Sequence, residues 1–144
     1  MRAKRILLVE DDPNDVLLFK ASLPEISEKN EIQVTRNGVE ALDYLMCCNQ
    51  FAESTHNNPD IIVLDLNLPL MDGFEVLENV RSTASLQLIP VVGFSSSSFD
   101  LDIKKCFELG INSYVVKPMN FTQYKKTVRQ MVNFWVDINY PPEL

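Results

Sequence analysis

Four short apolar runs in this sequence of 144 residues end in side chains that could share one chemical task. The polar residues that follow these runs are Glu10 with Asp11, then Asp65, Ser95 and Lys117. Converging carboxylates repel one another and need a counter-ion, and their oxygens suit Mg²⁺, which often also binds phosphate. Acidic groups, a divalent cation, an amine and a hydroxyl are the equipment for phosphoryl transfer, in which positioning and charge neutralisation carry most of the catalysis.

The run 61–64 is the best candidate for the central element that holds these groups. It contains only Ile, Val and Leu, without polar alternation, which predicts a strand buried on both faces of a parallel sheet. Asp65 then lies at the carboxyl end of that strand, the edge at which open α/β sheets bind ligands. Because a carboxylate can accept a phosphoryl group and form an aspartyl phosphate, Asp65 is the predicted acceptor.

Strand-like and helix-like patterns alternate five times along the chain. The first helix is predicted to begin at Pro13, with Asp12 as its N-cap and Asp15 as the partner in a capping box, and to continue up to Pro24. Alternation with short connections predicts a parallel sheet with helices on both faces, in a single domain over residues 1–144.

The second strand and the loop before the central strand are more polar than their neighbours. Ile32 and Val34 alternate with polar residues, which indicates an edge strand with one wetter face. The second helix is predicted to end near Cys47, and the long polar loop 49–59 has Phe51 as its only obvious apolar anchor.

Aromatic residues are frequent in the last two predicted helices. The fourth helix is predicted from the spacing of Phe99, Ile103, Cys106 and Phe107. One face of the last helix is predicted to carry Phe121, Tyr124, Val128, Met131, Val132 and Trp135. Phe134 and Val136 are predicted to lie off that last face. They belong either to an aromatic-rich core helix or to a dimer or partner surface that residues 140–142 extend.

Charge and composition disfavour several classes of function. The net charge of −7 and the scattered lysines and arginines disfavour a nucleic-acid partner. No apolar run is long enough for a membrane span or a signal peptide, so a cytoplasmic protein is expected. The cysteines Cys47, Cys48 and Cys106 are predicted to be reduced packing residues, with a redox switch at the adjacent pair as the alternative. His56 is predicted to be a solvated loop residue, so a zinc site or a Ser-His-Asp hydrolase has little support.

The ordered set Glu10-Asp11, Asp65, Ser95, Tyr114 and Lys117-Pro118 resembles the CheY-like receiver domain of bacterial two-component response regulators. The resemblance covers essentially the whole chain. It implies a flavodoxin-like, doubly wound (βα)5 fold whose five-stranded parallel sheet has the order 2-1-3-4-5. It also implies a phosphorelay protein that is not an enzyme in the usual sense, beyond its own phosphotransfer and dephosphorylation.

The same resemblance implies a role for each matching residue at the metal site. Asp65 is the phosphoacceptor and a metal ligand, Asp11 binds Mg²⁺ directly, and Glu10 acts through water. The backbone carbonyl of Asn67 is the third protein ligand.

Other matching residues are implied to respond to the phosphate. Ser95 and Lys117 bind it, and Tyr114 is the aromatic switch that turns inward when the serine moves. An aromatic residue packed at the start of a strand would explain Tyr114 equally well. The Lys117-Pro118 peptide bond is usually cis in this family.

The expected partner is a sensor histidine kinase, because the family receives its phosphoryl group from one. The long loop before Pro59, residues 64–69 and the end of the last helix resemble the small regulators of bacterial and cyanobacterial phytochrome kinases. No output domain is expected, so signalling would pass through protein contacts, with a homodimer through the last strand and the C-terminal helix as one form.

Two other classes of function remain as alternatives. A phosphatase of the haloacid-dehalogenase type also uses an aspartate nucleophile and Mg²⁺, but Asn67 stands where its signature needs a second aspartate, and the nucleophile would lie on the third strand instead of the first. A degenerate receiver that serves only as a binding module would usually lack one of the acidic residues or the lysine, and none is missing here.

Overall fold

The computed structural model describes residues 4–23 and 30–142. Its five parallel strands lie in the order β2-β1-β3-β4-β5, which confirms the predicted doubly wound α/β fold. The elements in chain order are β1 (Lys4–Val9), α1 (Pro13–Ser22), β2 (Asn30–Thr35), α2 (Gly38–Leu45), β3 (Ile61–Leu64), α3 (Gly73–Ser82), β4 (Val91–Ser95), α4 (Asp100–Glu108), β5 (Ser113–Val116) and α5 (Phe121–Val132).

The central strands are buried on both faces, as their unbroken apolar sequences predict. In β1, Ile6 and Leu8 pack with α1 and α5, whereas Leu7 and Val9 pack with α2 and α3. All four residues of β3 are buried. Because apolar side chains cover both faces, polar residues begin only where the strands end, and this places them together at one edge of the sheet.

The strand β2 lies at the edge of the sheet, as its alternating sequence predicted. It pairs with β1 in the register that matches Ile6 with Ile32 and Val9 with Thr35. The loop after α2 begins with a 3₁₀ turn at Asn49–Phe51, and Phe51 packs edge-on against Tyr44, so the predicted anchor is confirmed.

The start of the first helix differs from the prediction in one respect. Pro13 is its first residue and Asp12 is its N-cap, but the Asp12 side chain accepts its hydrogen bond from the Asn14 backbone. The capping box with Asp15 is therefore wrong, because the Asp15 carboxylate bonds to Lys117 instead. The helix ends at Ser22, and Pro24 lies outside the described residues.

The end of the last helix changes its winding, and the two residues predicted to lie off its apolar face differ in burial. After Val132 the chain continues as a π-helical segment, Asn133–Ile138, with wider turns than an α-helix. Val136 lies in the core, where it is 3% exposed, while Phe134 is 46% exposed, so the core alternative holds for Val136.

His56 is not the solvated residue that its polar neighbours suggested. Its ring stacks on Tyr44 with centroids 4.0 Å apart, and its Nε2 lies 2.9 Å from the Tyr44 carbonyl oxygen and 3.6 Å from the Cys47 sulfur. All three cysteines are free thiols, and Cys106 is buried.

Two aromatic residues at the fourth helix, Phe99 and Phe107, lie on the protein surface and not in the core. Phe99 is 60% and Phe107 51% exposed, and Cys106 is the buried residue of that helix. Among the described residues, none of the helices combines the length and the apolar character needed to cross a membrane.

Candidate functional site

The carboxyl ends of the strands bring the predicted chemical groups to one edge of the sheet. Backbone hydrogen bonds continue the strand pairing into this edge, since Glu10 N–H donates to Thr35, Asp65 N–H to Val9 and Lys117 N–H to Ser95. The site therefore rests on the rigid sheet, although Glu10, Asp65 and Lys117 are loop residues.

Three carboxylates form an acidic cluster that sequence reasoning predicted. One oxygen each of Glu10, Asp11 and Asp65 lies within 4.8 Å of the other two. Glu10 and Asp65 are buried and Asp11 is exposed, so the cluster opens to solvent on one side. Hard oxygen ligands at such spacing fit a divalent cation of the Mg²⁺ kind.

The amine of Lys117 is the cation that the described structure places among these acids. Its Nζ donates to Glu10, to Asp15 Oδ2 at 3.0 Å and to Asp65 Oδ2 at 3.1 Å. The Lys117 side chain is only 9% exposed. Three carboxylates satisfy the three N–H donors of one ammonium group, and the acids still outnumber the cation.

Asp15 is the site residue that sequence reasoning missed. It was assigned to helix capping because it lies three residues after Asp12. The available signal was its position in the first turn of α1, directly after the acidic pair, where a side chain can turn back to the sheet edge. Only the tertiary structure shows that Lys117 reaches it.

The electrostatics of the cluster shift two pKa values in the same direction. Burial, and next to it the charge of Asp65, raise the pKa of Glu10 to about 7, although the hydrogen bond from Lys117 acts against this. Burial by itself lowers the pKa of Lys117, but the bond to Glu10 and the charges of Asp65 and Glu10 raise that pKa above its ordinary value. Lys117 is therefore firmly protonated.

The loop after β3 approaches the acidic cluster closely. Asp65 Oδ1 accepts a hydrogen bond from the Asn67 backbone at 3.3 Å. A Cβ atom on Gly73 would lie 2.5 Å from the Asp65 carbonyl oxygen, so only glycine lets α3 begin this close to the strand end. The backbone of Asp65 is thus packed against the first residue of α3 as well as hydrogen-bonded to the sheet.

Ser95 and Tyr114 lie on the two last strands beside the cluster. Ser95 is fully buried at the end of β4. The Tyr114 ring lies over Gly93, where a Cβ atom would come within 2.9 Å of it, and its hydroxyl donates to the Ser97 carbonyl at 2.7 Å. Burial raises the pKa of the Tyr114 phenol, and hydrogen bonds with Ser95 and Ser97 oppose this.

Peptide geometry gives one correction to the expected family features. Throughout the described residues every peptide bond is trans, including Lys117-Pro118, so the expected cis bond is absent. Trans is the intrinsically favoured isomer before proline, by about 0.5–1 kcal/mol.

A family model with the description response regulator receiver domain matches residues 6–129. The chain belongs to the response regulator receiver domain family. The match runs from the first residue of β1 that is fully buried to the last turns of α5, so it contains every residue of the receiver site described above.

Among similar proteins, the receiver aligns with a probable methanogenesis regulatory protein and with a cyanobacterial response regulator, Rcp1. FilR2 from Methanothrix harundinacea is 34% identical, over 95% of this chain and 86% of its own length. Rcp1 from Synechocystis is 34% identical, over 93% of this chain and 90% of its own length.

Solved structures give the same fold. The phosphorylated cyanobacterial phytochrome response regulator RcpA superposes with a TM-score of 0.91 and 36% identity, over 97% of this chain and 99% of RcpA. The Mn²⁺-bound form of Rcp1 superposes with a TM-score of 0.89 and 34% identity, over 97% of this chain and 99% of that structure. This receiver, which carries the acidic cluster, therefore shares its fold with the phytochrome response regulator RcpA and with the response regulator Rcp1.

Proposed function

We propose that this receiver accepts a phosphoryl group on Asp65 from a sensor histidine kinase and passes the signal through protein contacts. The observation that carries the proposal is the convergence of Glu10, Asp11 and Asp65 within 4.8 Å, with the ammonium group of Lys117 hydrogen-bonded to Asp65. Such a site can hold and neutralise a transferred phosphoryl group, which is most of what this chemistry requires.

The transfer is a displacement at phosphorus. A carboxylate oxygen of Asp65 attacks in line, the new O–P bond forms, and the P–N bond to the kinase histidine breaks. The leaving imidazole keeps the electron pair of that bond. Lys117, which already bonds Asp65 Oδ2 at 3.1 Å, stabilises charge on the entering phosphoryl oxygens.

The residues that would hold a divalent cation are Glu10, Asp11 and Asp65, with the backbone carbonyl of Asn67 as the expected further ligand. A bound Mg²⁺ supplies charge neutralisation for the phosphoryl oxygens. The acid excess over Lys117 supports this assignment, as does the Mn²⁺-bound form of the relative Rcp1.

Ser95 and Lys117 are proposed to bind the phosphate. Tyr114 is proposed to turn inward when Ser95 moves toward the phosphate. Ser95 ends the strand beside β3, and Tyr114 packs over the same strand at Gly93. The phosphate would draw Ser95 toward Asp65 and change the contacts of Tyr114 and α4. This is a shift between two populated arrangements.

The test is intact mass after incubation with acetyl phosphate, with and without Mg²⁺. We expect one phosphoryl adduct that needs both the cation and Asp65, so that Asp65→Asn gives none. Asp137→Asn, which removes an exposed carboxylate near the end of the chain, should modify like the wild type. Equal modification of Asp65→Asn would refute the site assignment, and rapid turnover of small phosphate esters would favour a phosphatase.

We propose a kinase of the phytochrome type as the phosphoryl donor. The support is the likeness to the cyanobacterial phytochrome response regulator RcpA over nearly its whole length. Transfer from a purified phytochrome kinase should be at least about tenfold faster than from a histidine kinase of another sensor class. Equal rates would remove the support for this partner.

We also propose a homodimer through β5 and the end of the C-terminal helix. Large apolar side chains are exposed along this part of the chain: Val116, Phe134, Ile138 and Tyr140. Sedimentation should show association that weakens in Phe134→Ser. A wild type that stays monomeric at high concentration, with and without the phosphoryl group, would contradict the dimer. The single-domain organisation and the cytoplasmic location stay predictions.

A further inference from the structure

The serine run 95–98 contains one residue that joins the phosphate-binding strand to α4. Ser96 and Ser98 are exposed, whereas Ser97 is half-buried and makes hydrogen bonds through its N–H, its carbonyl and its hydroxyl. The proposed phosphotransfer chemistry uses Ser95 and leaves the hydroxyl of Ser97 without a role.

That hydroxyl ties the N-cap residue and the first turn of α4 to the loop that precedes them. The N-cap position of α4 is Phe99, whose side chain cannot accept a hydrogen bond from the first turn. Ser97 Oγ instead accepts from the Phe99 N–H at 3.3 Å and donates to Asp102 Oδ2 at 2.9 Å. A hydrogen bond to a charged group is among the stronger ones in proteins. The first turn of α4 is therefore tied to Ser97.

The backbone of the same residue faces the phosphate site. Ser97 N–H donates to Ser95 Oγ over a long 3.4 Å, and the Ser97 carbonyl accepts the Tyr114 hydroxyl at 2.7 Å. Ser95, Tyr114 and α4 thus meet at one residue. In this arrangement, a Ser95 hydroxyl that rotates toward a phosphate on Asp65 must leave its contact with Ser97.

We propose that the Ser97 hydroxyl and the Asp102 carboxylate form a latch that holds α4 and the β4–α4 loop in the unphosphorylated arrangement. The latch rests on the proposed function of Asp65, and Ser97 and Asp102 act as positioning residues. Because the latch stabilises one of two arrangements, its loss favours the other and strengthens binding of a phosphoryl mimic by the same factor.

The experiment titrates the full chain with beryllofluoride in the presence of Mg²⁺ and follows the backbone amide resonances around Asp65 and α4. We expect Ser97→Ala and Asp102→Asn each to bind beryllofluoride about three- to tenfold more tightly than the wild type, the range of one hydrogen bond. The double variant should gain no more than the larger single gain, because both substitutions break the same bond. Ser97→Thr keeps a hydroxyl at this position, so it should bind beryllofluoride with the wild-type affinity.

Matched controls separate the latch from general effects on the helix. Ser98→Ala removes the hydroxyl of an exposed serine in the same run, and Asp100→Asn removes the other acid in the first turn of α4. Both should bind beryllofluoride like the wild type. A purely structural role would lower thermal stability without tightening this affinity.

The outcomes distinguish the two proposals. If the wild type binds beryllofluoride through Asp65 but Ser97→Ala binds it equally or more weakly, the latch is refuted and the proposed function stands. Additive gains in the double variant also refute the latch. If the wild type does not bind, or Asp65→Asn binds equally, the proposed function fails and the latch fails with it.

Discussion

Two cationic side chains, the nearly buried Lys117 and the half-buried Arg81, hold opposite ends of the sheet by different means. Lys117, at the carboxyl end of β5, donates to three carboxylates, those of Glu10, Asp15 and Asp65. Arg81, near the end of α3, donates to neutral oxygens at the amino ends of β4 and β5. Its acceptors are the carbonyls of Gly110, Gln87 and Ile89 and the side-chain oxygen of Asn112.

The pKa values of the two cations move in opposite directions for this reason. Burial lowers the pKa of Arg81, since its partners carry no charge to offset the loss of water. Burial acts in the same sense on Lys117, but the carboxylates around it reverse the outcome and raise its pKa. A cation among excess acids can exchange partners when a metal or a phosphate arrives, whereas a cation that saturates neutral carbonyls is a fixed clamp.

The largest expected effect tests the clamp. Arg81→Met leaves backbone carbonyls of two loops without their donors, so we expect a loss of about 3 kcal/mol in the free energy of unfolding. Phosphoryl adduct formation on Asp65 should be unchanged in the folded variant. Urea denaturation and intact mass measure the two quantities, with Arg81→Lys as the control that keeps the charge without the planar fork. A loss below about 0.5 kcal/mol would contradict the clamp.

The next effect tests the exchangeable cation. Lys117→Met makes the acidic cluster one unit more negative, so Mg²⁺ should bind about tenfold more tightly, on the order of one interaction between neighbouring charges. Mg²⁺ titration followed by thermal unfolding measures this, and Lys126→Met is a control away from the cluster. Weaker Mg²⁺ binding in Lys117→Met would show that Lys117 does not compete with the cation.

A smaller effect uses Cys106 as a reporter for the clamp. Burial, and next the charge of Asp102, raise the pKa of the Cys106 thiol to about 11, so at pH 8 little thiolate is present in the folded state. Cys106 lies in α4, and the loop after α4 contains Gly110, whose carbonyl accepts a hydrogen bond from Arg81. We expect labelling of Cys106 to be slow in the wild type and several-fold faster in Arg81→Met, but unchanged in Lys117→Met. Equal rates of Cys106 labelling in all three proteins would mean that the hydrogen bonds of Arg81 do not stabilise α4.

The smallest effect concerns a polar group that neither cation satisfies. Thr35 Oγ1 is buried at the end of β2 without a hydrogen-bond partner among the described residues, although the Thr35 carbonyl accepts from Glu10. Thr35→Val removes the unsatisfied hydroxyl and keeps the shape, so we expect a gain of up to about 1 kcal/mol in the free energy of unfolding. A clear loss would mean that the hydroxyl finds a partner in solution.

The accuracy of the sequence predictions follows from how local each signal is. The strands and the edge position of β2 come from apolar runs and alternation, which neighbouring residues express directly, whereas the strand order was implied by the resemblance to receiver domains. Asp15 and His56 were misjudged because their partners, Lys117 and Tyr44, are 102 and 12 residues away. Val136 was predicted to lie off the apolar face, although it follows the buried Val132 by four residues, a spacing that keeps both on one side of a helix.

The sequence by itself determined which chemical groups stand at the site. Apolar strands buried on both faces admit polar side chains only where they end, so Glu10, Asp11, Asp65, Ser95 and Lys117 had to meet at one edge of a parallel sheet. Only the tertiary structure decided how these groups are paired. A lysine amine on a flexible stem can reach any of several acids, and the packing of α1 against the sheet together with the pairing of β5 to β4 selects Glu10, Asp15 and Asp65.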